Sequence, residues 1–302
     1  MKKKILIFTS TLDLTVDYII YKYSHVADFY RVNIDLLSDY SIDINAKGWQ
    51  ITNENWSICS TELNSIYYRK PRMPNLDDFE FRYQFLIQKD IIVFIEGLVN
   101  SFNGYVLSKP CILHSAENKI FQLLRAVEVG FEVPKSTITN NTSLANAFVN
   151  EKSIIKPLST ATLKSENKIE FFQTNLITDF PKIDISLTPT FLQKYITKKF
   201  EVRATFVGDQ VFCVKIDSTN KVDWRSPNAK NRYSIIQMPN EIYMKSLALL
   251  KTLSLDFGAF DFIVDDRNKW IFLEVNPNGQ WLWLEQILNI NISERIVKLL
   301  DV

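Results

Sequence analysis

The sequence predicts an α/β protein, on three observations. It opens with strand, helix and strand signals in direct succession. Short strand and helix signals alternate through the middle of the chain. Residues 258–279 read as two β-strands joined by a polar turn, with a helical pattern behind them. At 302 residues and 46% hydrophobic, the chain can bury one large core or two to three smaller ones. Its net charge of +1, from 35 basic and 34 acidic residues, gives no overall attraction to nucleic acid or to an anionic membrane, so any anion must be held locally.

The basic start "MKKKILIFTS" imitates a signal peptide, but its apolar stretch is only Ile5–Phe8 before Thr9, Ser10 and Asp13 arrive, so it reads as a first strand. Apolar residues at Val16, Ile19, Ile20 and Tyr23 then recur at helical spacing, and "DFYRVNID" is a second strand. "GWQITNENWSICS" reads as a hairpin, and "SIYYRKP" as a strand ended by Pro71. Residues 79–102, aromatic and free of proline, read as a helix; "IIVFIEGLV" within them is interrupted by Glu96 and far too short to cross a bilayer. A further helix begins near Ser115, with Asn118 at its third position. It turns Ile120, Phe121, Leu124 and Val127 to one face and stops at Gly130. Cys59, Cys111 and Cys213 lack metal-type spacing and read as buried free thiols in a reducing cytosol, and the expected location is cytoplasmic.

The chemistry gathers at "GAFDFIVDDRNKWIFLEVNPNG". If Asp265 pairs with Trp270 across the turn, Asp261 falls opposite Glu274, and Asn276 shares that face because strand side chains alternate. Two carboxylates this close repel each other unless a cation or a proton lies between them. An all-oxygen donor set suits a hard ion such as Mg²⁺. Asp261 taken alone is better read as belonging to a hairpin with one exposed and one salt-bridged acid; Asp261, Glu274 and Asn276 together favour the metal.

An aspartate on one strand and Glu-x-Asn ending the next resembles the metal site of the ATP-grasp superfamily. The longer string "FLEVNPNGQWLWLE" resembles its graspetide synthetase branch, the microviridin-type ligases that form ω-ester or ω-amide links between side chains of a ribosomal precursor peptide. The resemblance implies an ATP-grasp fold with a pre-ATP-grasp domain at 1–111, a central lobe at 112–190 and a C-terminal lobe carrying the metal at 191–302. It implies ATP and Mg²⁺ as cofactors. Lys119 and Lys156 would hold phosphates, and Gln193, Lys194, Tyr195 and Ile196 would surround adenine. Glu201 would meet the ribose, and Asn276 would serve nucleotide as well as metal. Arg203 and Arg225 would act on phosphate or on the activated carboxylate, and Arg69 and Arg72 would receive an acidic peptide side chain. The phosphate-covering stretch "KPLSTATLKSENK" departs from the superfamily in having no glycine, and Ser159, Thr160 and Thr162 would supply hydroxyls instead. The implied partner is a precursor peptide of leader plus core, with a homodimer allowed and the helix at 79–102 a candidate surface. The rival reading is an ATP-grasp ligase that adds an amino acid to a protein or a small carboxylate. With only His25 and His114, neither in a motif, histidine nucleophile or base chemistry is disfavoured.

Overall fold

The apolar run at Ile5–Phe8 becomes β1 (Lys3–Thr9), whose four central side chains are fully shielded, as a strand covered on both faces requires. The structure, a computed structural model, describes residues 2–159, 162–165, 168–171 and 175–301, with backbone alone at 162–165 and 168–171. Helix α1 (Leu14–Tyr23), capped by Asp13 accepting from the Thr15 amide, leads to β2 (Ala27–Asn33), parallel to β1. The expected hairpin forms within a three-stranded antiparallel sheet, β3 (Ser41–Asn45), β4 (Gly48–Thr52) and β5 (Ser57–Cys59). Strand β6 (Ser65–Tyr68), helix α2 (Phe81–Ser101) and strand β7 (Tyr105–Leu107) complete a parallel sheet of order β2-β1-β6-β7. Helix α2 buries Ile95, Leu98 and Val99 and leaves Phe81, Phe85 and Val93 exposed.

The helical stretch after residue 110 is two helices, α3 (Pro110–Ala116) and α4 (Lys119–Glu128), rather than one beginning near Ser115. Asn118 is the cap: its side-chain oxygen accepts from the amides of Ile120 and Phe121, which starts a new helix. The expected apolar face is also rotated. Ile120, Leu124 and Val127 are exposed, and the buried side chains are Gln122 and Ala126.

The central sheet, of order β12-β9-β13-β8, is built from β8 (Ser136–Thr139), β9 (Ser153–Lys156), β12 (Asn175–Ile177) and β13 (Thr190–Lys194). Helix α5 (Thr142–Phe148) contributes Ala145 to the small core beneath it. Strands β10 (Thr162–Ser165) and β11 (Lys168–Phe171) form a separate hairpin. The C-terminal sheet has the order β16-β15-β14-β17-β18, from β14 (Phe200–Val207), β15 (Gln210–Ser218), β16 (Asn231–Ile235), β17 (Phe257–Val264) and β18 (Trp270–Asn276). Helix α6 (Asn240–Thr252) covers one face. Helices α7 (Leu282–Leu288) and α8 (Ile292–Leu300) bring Leu284, Ile292 and Ile296 into one core with Ile5, Ile7 and the buried Trp281, which joins this sheet to the N-terminal one.

The chain passes from the central to the C-terminal sheet between Lys194 and Phe200, a few residues beyond the expected position near 190. Leu113, Ala116, Ala126 and Phe131, expected in the central lobe, pack in the core of the C-terminal sheet. The three thiols are free, but only Cys213 is buried; Cys111 is exposed and Cys59 half-buried.

Candidate active site

The alternation of strands sets the first donors. In the β17–β18 pair, Asp261 lies opposite Glu274 and Ala259 opposite Asn276, so Glu274 and Asn276 share a face with Asp261. The register expected from the turn holds on this side only. A bulge at Asp261/Phe262 leaves Leu273 without a partner, and nearer the turn Val264, not Asp265, pairs with Trp270.

The outer edge of β18 would expose unpaired amides beside the site. Gln122 closes part of it: its Nε2 donates to the Val275 carbonyl at 2.7 Å and its Oε1 accepts from the Val275 amide at 3.1 Å. The Phe272 amide donates to the Glu132 carbonyl at 2.8 Å. This is why α4 turns a glutamine inward: a carboxamide can satisfy both backbone groups of an edge residue.

On the other side of β17, strand β14 places Arg203 opposite Asp261. Arg203 Nη1 donates to both carboxylate oxygens, at 2.9 and 3.0 Å. From the loop at 219–230, Arg225 Nη2 donates to Asp261 Oδ2 and lies 3.7 Å from Glu274 Oε1. Asp261 is 5% exposed. Burial alone would raise its carboxyl, but Arg203 and then Arg225 outweigh burial and hold it below the usual range. Asp261 is therefore salt-bridged and also sits in the donor triplet.

Two residues before Arg203 on the same strand face, Glu201 is buried against Lys198 Nζ at 2.7 Å. Burial pushes its carboxyl up to about 7 against the pull of Lys198. The folded value lies above the usual 4.5, so this contribution to stability is full below pH 4.5 and lost as pH rises to about 7. Glu201→Gln should accordingly gain on the wild type, by up to about 3 kcal/mol, between pH 5 and pH 8. Denaturant unfolding of both proteins at the two pH values measures this; a constant difference would contradict the shift.

Strand β9 ends in Lys156, whose Nζ donates to Gln193 Oε1 at 2.9 Å; Lys119, first in α4, donates to the Pro157 carbonyl at 2.7 Å. Burial lowers both ammonium groups, opposed by the charge of Glu274. Lys119, Lys156, Gln193, Lys194, Tyr195, Ile196, Glu201, Arg225, Asp261, Glu274 and Asn276 all line one cleft of about 730 Å³ between the central and C-terminal sheets.

Several assignments change in detail. Arg203 is 5% exposed and holds the Asp261 carboxylate, with Nη2 3.5 Å from the Gln280 carbonyl. The Lys194 ammonium donates to the Phe148 carbonyl and Asn150 Oδ1, each at 2.7 Å. Arg69 is 0% exposed and presents nothing to a peptide acid. It pairs with Asp13 at 3.2 Å and donates to Gln280 Oε1 at 2.8 Å and Asn278 Oδ1 at 3.3 Å, which ties the N-terminal sheet to the loop after β18. Arg72 is exposed and outside the cleft. Thr160 and the side chain of Thr162 lie outside the described residues, whereas Ser159 lines the cleft. Lys70, between the two arginines first assigned to the peptide, adopts a left-handed φ of 44°, and burial lowers its ammonium to about 8.

Gly279 matters for space. A Cβ there would lie 2.6 Å from the Ala259 methyl and 2.8 Å from Arg203 Nη2, both buried. Gly279→Ala should cost about 1–3 kcal/mol by overpacking; an unchanged denaturant midpoint would contradict this.

The donor set fits Mg²⁺ by chemistry: two carboxylates and an amide oxygen on one face, with Asn276 Oδ1 also accepting from the Asn278 amide at 3.1 Å. Among the described residues no group of three His, Cys, Asp or Glu forms a metal cage. The remaining coordination would fall to water and phosphate, and the ion would neutralise phosphate charge.

A family model described as the RimK-like ATP-grasp domain matches residues 116–300. Among solved structures, a RiPP-associated ATP-grasp ligase of Chryseobacterium gregarium, in complex with ADP and a leader and core peptide, superposes with a TM-score of 0.88 at 25% identity. The match covers 99% of this chain and 96% of that one. The macrocyclase MdnB of Microcystis aeruginosa MRC gives a TM-score of 0.83 at 26% identity over 99% of both chains. The D-Ala:D-Ser ligase VanG of Enterococcus faecalis shares the fold, with a TM-score of 0.64 at 14% identity over 100% of both chains. Among curated proteins, the uncharacterized MG012 of Mycoplasma genitalium is 31% identical over 113 residues, 35% of this chain; the chain spans 38% of that relative's length.

Proposed function

The chain belongs to the RimK-like ATP-grasp family, and on that premise we propose that it is an ADP-forming carboxylate–alcohol or carboxylate–amine ligase. Its substrate is a ribosomally made precursor peptide, in which it links side chains as ω-esters or ω-amides. The observation that carries the reading is one cleft in which the oxygen donors Asp261, Glu274 and Asn276 face two desolvated lysines, Lys119 and Lys156. Whole-chain likeness to a RiPP-associated ligase and a macrocyclase at 25% and 26% identity supports the peptide substrate.

In this reading a carboxylate oxygen of the peptide attacks the γ-phosphorus of ATP, ADP leaves, and an acyl phosphate forms. A hydroxyl or amine then attacks the acyl carbon, and phosphate departs with the C–O bonding pair and takes up the proton that the nucleophile loses. Phosphoryl transfer asks mainly for positioning and charge neutralisation. Lys119, Lys156 and Arg225 neutralise phosphate, Arg203 keeps Asp261 ionised and in place, and Glu201 accepts from the ribose hydroxyls. The backbone of 193–196 borders adenine. The site works in the cytoplasm, and the exposed apolar turns of α2 are the surface for a second copy or a leader segment; no helix among the described residues is long and apolar enough to cross a membrane.

Hydroxylamine tests the reading, because it captures an acyl phosphate as a hydroxamate. Peptide, ATP and Mg²⁺ with hydroxylamine should yield a hydroxamate on an acidic residue of the peptide together with ADP. ADP release without hydroxamate would refute the acyl phosphate. A gain of one amino-acid residue on the acceptor would favour the rival ligase.

A further inference from the structure

We infer that Arg225 makes this site select a metal–nucleotide complex over a free divalent ion. Its guanidinium joins the two carboxylates the ion needs, and incoming phosphate is what draws it away. The inference rests on the nucleotide-site reading above.

The charge count comes first. Asp261 and Glu274 bring two negative charges, and Arg203 and Arg225 bring two positive ones, with Arg203 at 2.9 Å from Asp261 and Arg225 on Asp261 and 3.7 Å from Glu274. These four groups balance one another, and Asp223 Oδ1 lies a further 3.7 Å from Arg225 Nη1. A dication on the same oxygens would need the place Arg225 takes and would face two guanidiniums, with Lys119 and Lys156 lining the same cleft. Like charges at such separations in a half-buried cleft repel strongly. Nucleotide phosphates reverse the balance, because they bring negative charge with the metal and offer Arg225 a new partner suited to its planar fork.

The two arginines differ in freedom. Arg203 is fixed on a central strand, with its Nη2 beside Gly279, where a Cβ would come within 2.8 Å of it. Arg225 lies on the loop between β15 and β16 with its side chain 44% exposed. That loop is pinned by short-range bonds, the Arg225 amide to Asp223 Oδ1 at 2.9 Å and the Asp223 amide to Asn220 Oδ1 at 3.0 Å, so the side chain can move without disturbing the sheet. The guanidinium also lies 5.0 Å from the Trp224 ring, which packs 5.4 Å from Trp283. A change in Arg225 should therefore register in tryptophan emission.

Mn²⁺ is the probe, because free Mn²⁺ is counted by its paramagnetic resonance without turnover. The full chain is titrated with Mn²⁺ alone and with Mn²⁺ plus ADP, as wild type, Arg225→Gln and Arg225→Lys. Wild type should bind Mn²⁺ at least about ten-fold more tightly with ADP than without, with a change in tryptophan emission on Mn²⁺–ADP only. Arg225→Gln should bind Mn²⁺ alone at least about ten-fold more tightly than wild type, while Arg225→Lys, which keeps the charge, stays within about three-fold of wild type. Equal wild-type affinity with and without ADP overturns the inference, whatever the variants do. So does an Arg225→Gln protein that binds Mn²⁺ alone no better than wild type while Mn²⁺–ADP binding persists; the nucleotide site then stands and Arg225 is not the selector. Failure of wild type to take up Mn²⁺ with ADP would overturn the nucleotide reading itself.

Discussion

Asp261→Ala is expected to abolish turnover and to cost roughly 3–5 kcal/mol of stability, because it leaves Arg203 as an uncompensated buried charge. Arg203 is 5% exposed, and its Nη1 sits on both Asp261 oxygens. Without the carboxylate it keeps only the long contact to the Gln280 carbonyl at 3.5 Å. Arg225 loses that contact as well, but it keeps Glu274 and Asp223 at 3.7 Å and its side chain is 44% exposed, so the loss there costs little. Chemical denaturation gives the stability arm and ADP release the activity arm. A variant as stable as wild type would show that the pair is not the anchor of the β14–β17 contact.

Glu274→Gln should separate the site from the scaffold. The Glu274 side chain is 35% exposed, and its one ion pair among the described residues, to Arg225, is long at 3.7 Å. Stability should change by about 0.5 kcal/mol or less. Turnover should nevertheless fall by about 10²–10³, the usual cost of removing one group that stabilises charge in the transition state. The amide keeps the shape and one oxygen but loses the charge that attracts a cation and offsets Lys119 and Lys156. Full activity in this variant would remove Glu274 from the metal set.

The parts legible in the sequence were those fixed by local period. Strand alternation placed Asp261, Glu274 and Asn276 together although the turn register it is counted from is one residue off: Val264, not Asp265, pairs with Trp270, and the bulge at Asp261/Phe262 makes up that residue before the pair. The apolar run of β1 and the hairpin at 48–59 were legible for the same reason. What could not be read were choices made by distant partners. The face of α4 was assigned by its apolar residues, yet the free edge of β18 demanded Gln122, a contact across 153 positions of chain. Arg69, before a proline, reads as a receptor for a peptide acid, but Asp13 and Gln280, remote in sequence, enclose it. Arg203 and Arg225 read alike as anion-binding residues; only the neighbour of β14 in the sheet shows that one is buried behind a carboxylate and the other is free to move. The glutamine inside an otherwise apolar helix was the one available signal for Gln122.

The most direct test of the central claim is the mass of the peptide. The full chain, ATP, Mg²⁺ and the peptide encoded beside its gene should give products lighter by one water for each bond formed, with one ADP released per water lost, and Glu274→Gln should suppress both together. A peptide of unchanged mass in the presence of steady ADP release, or one heavier by an amino-acid residue, would contradict side-chain linkage as the function of this site.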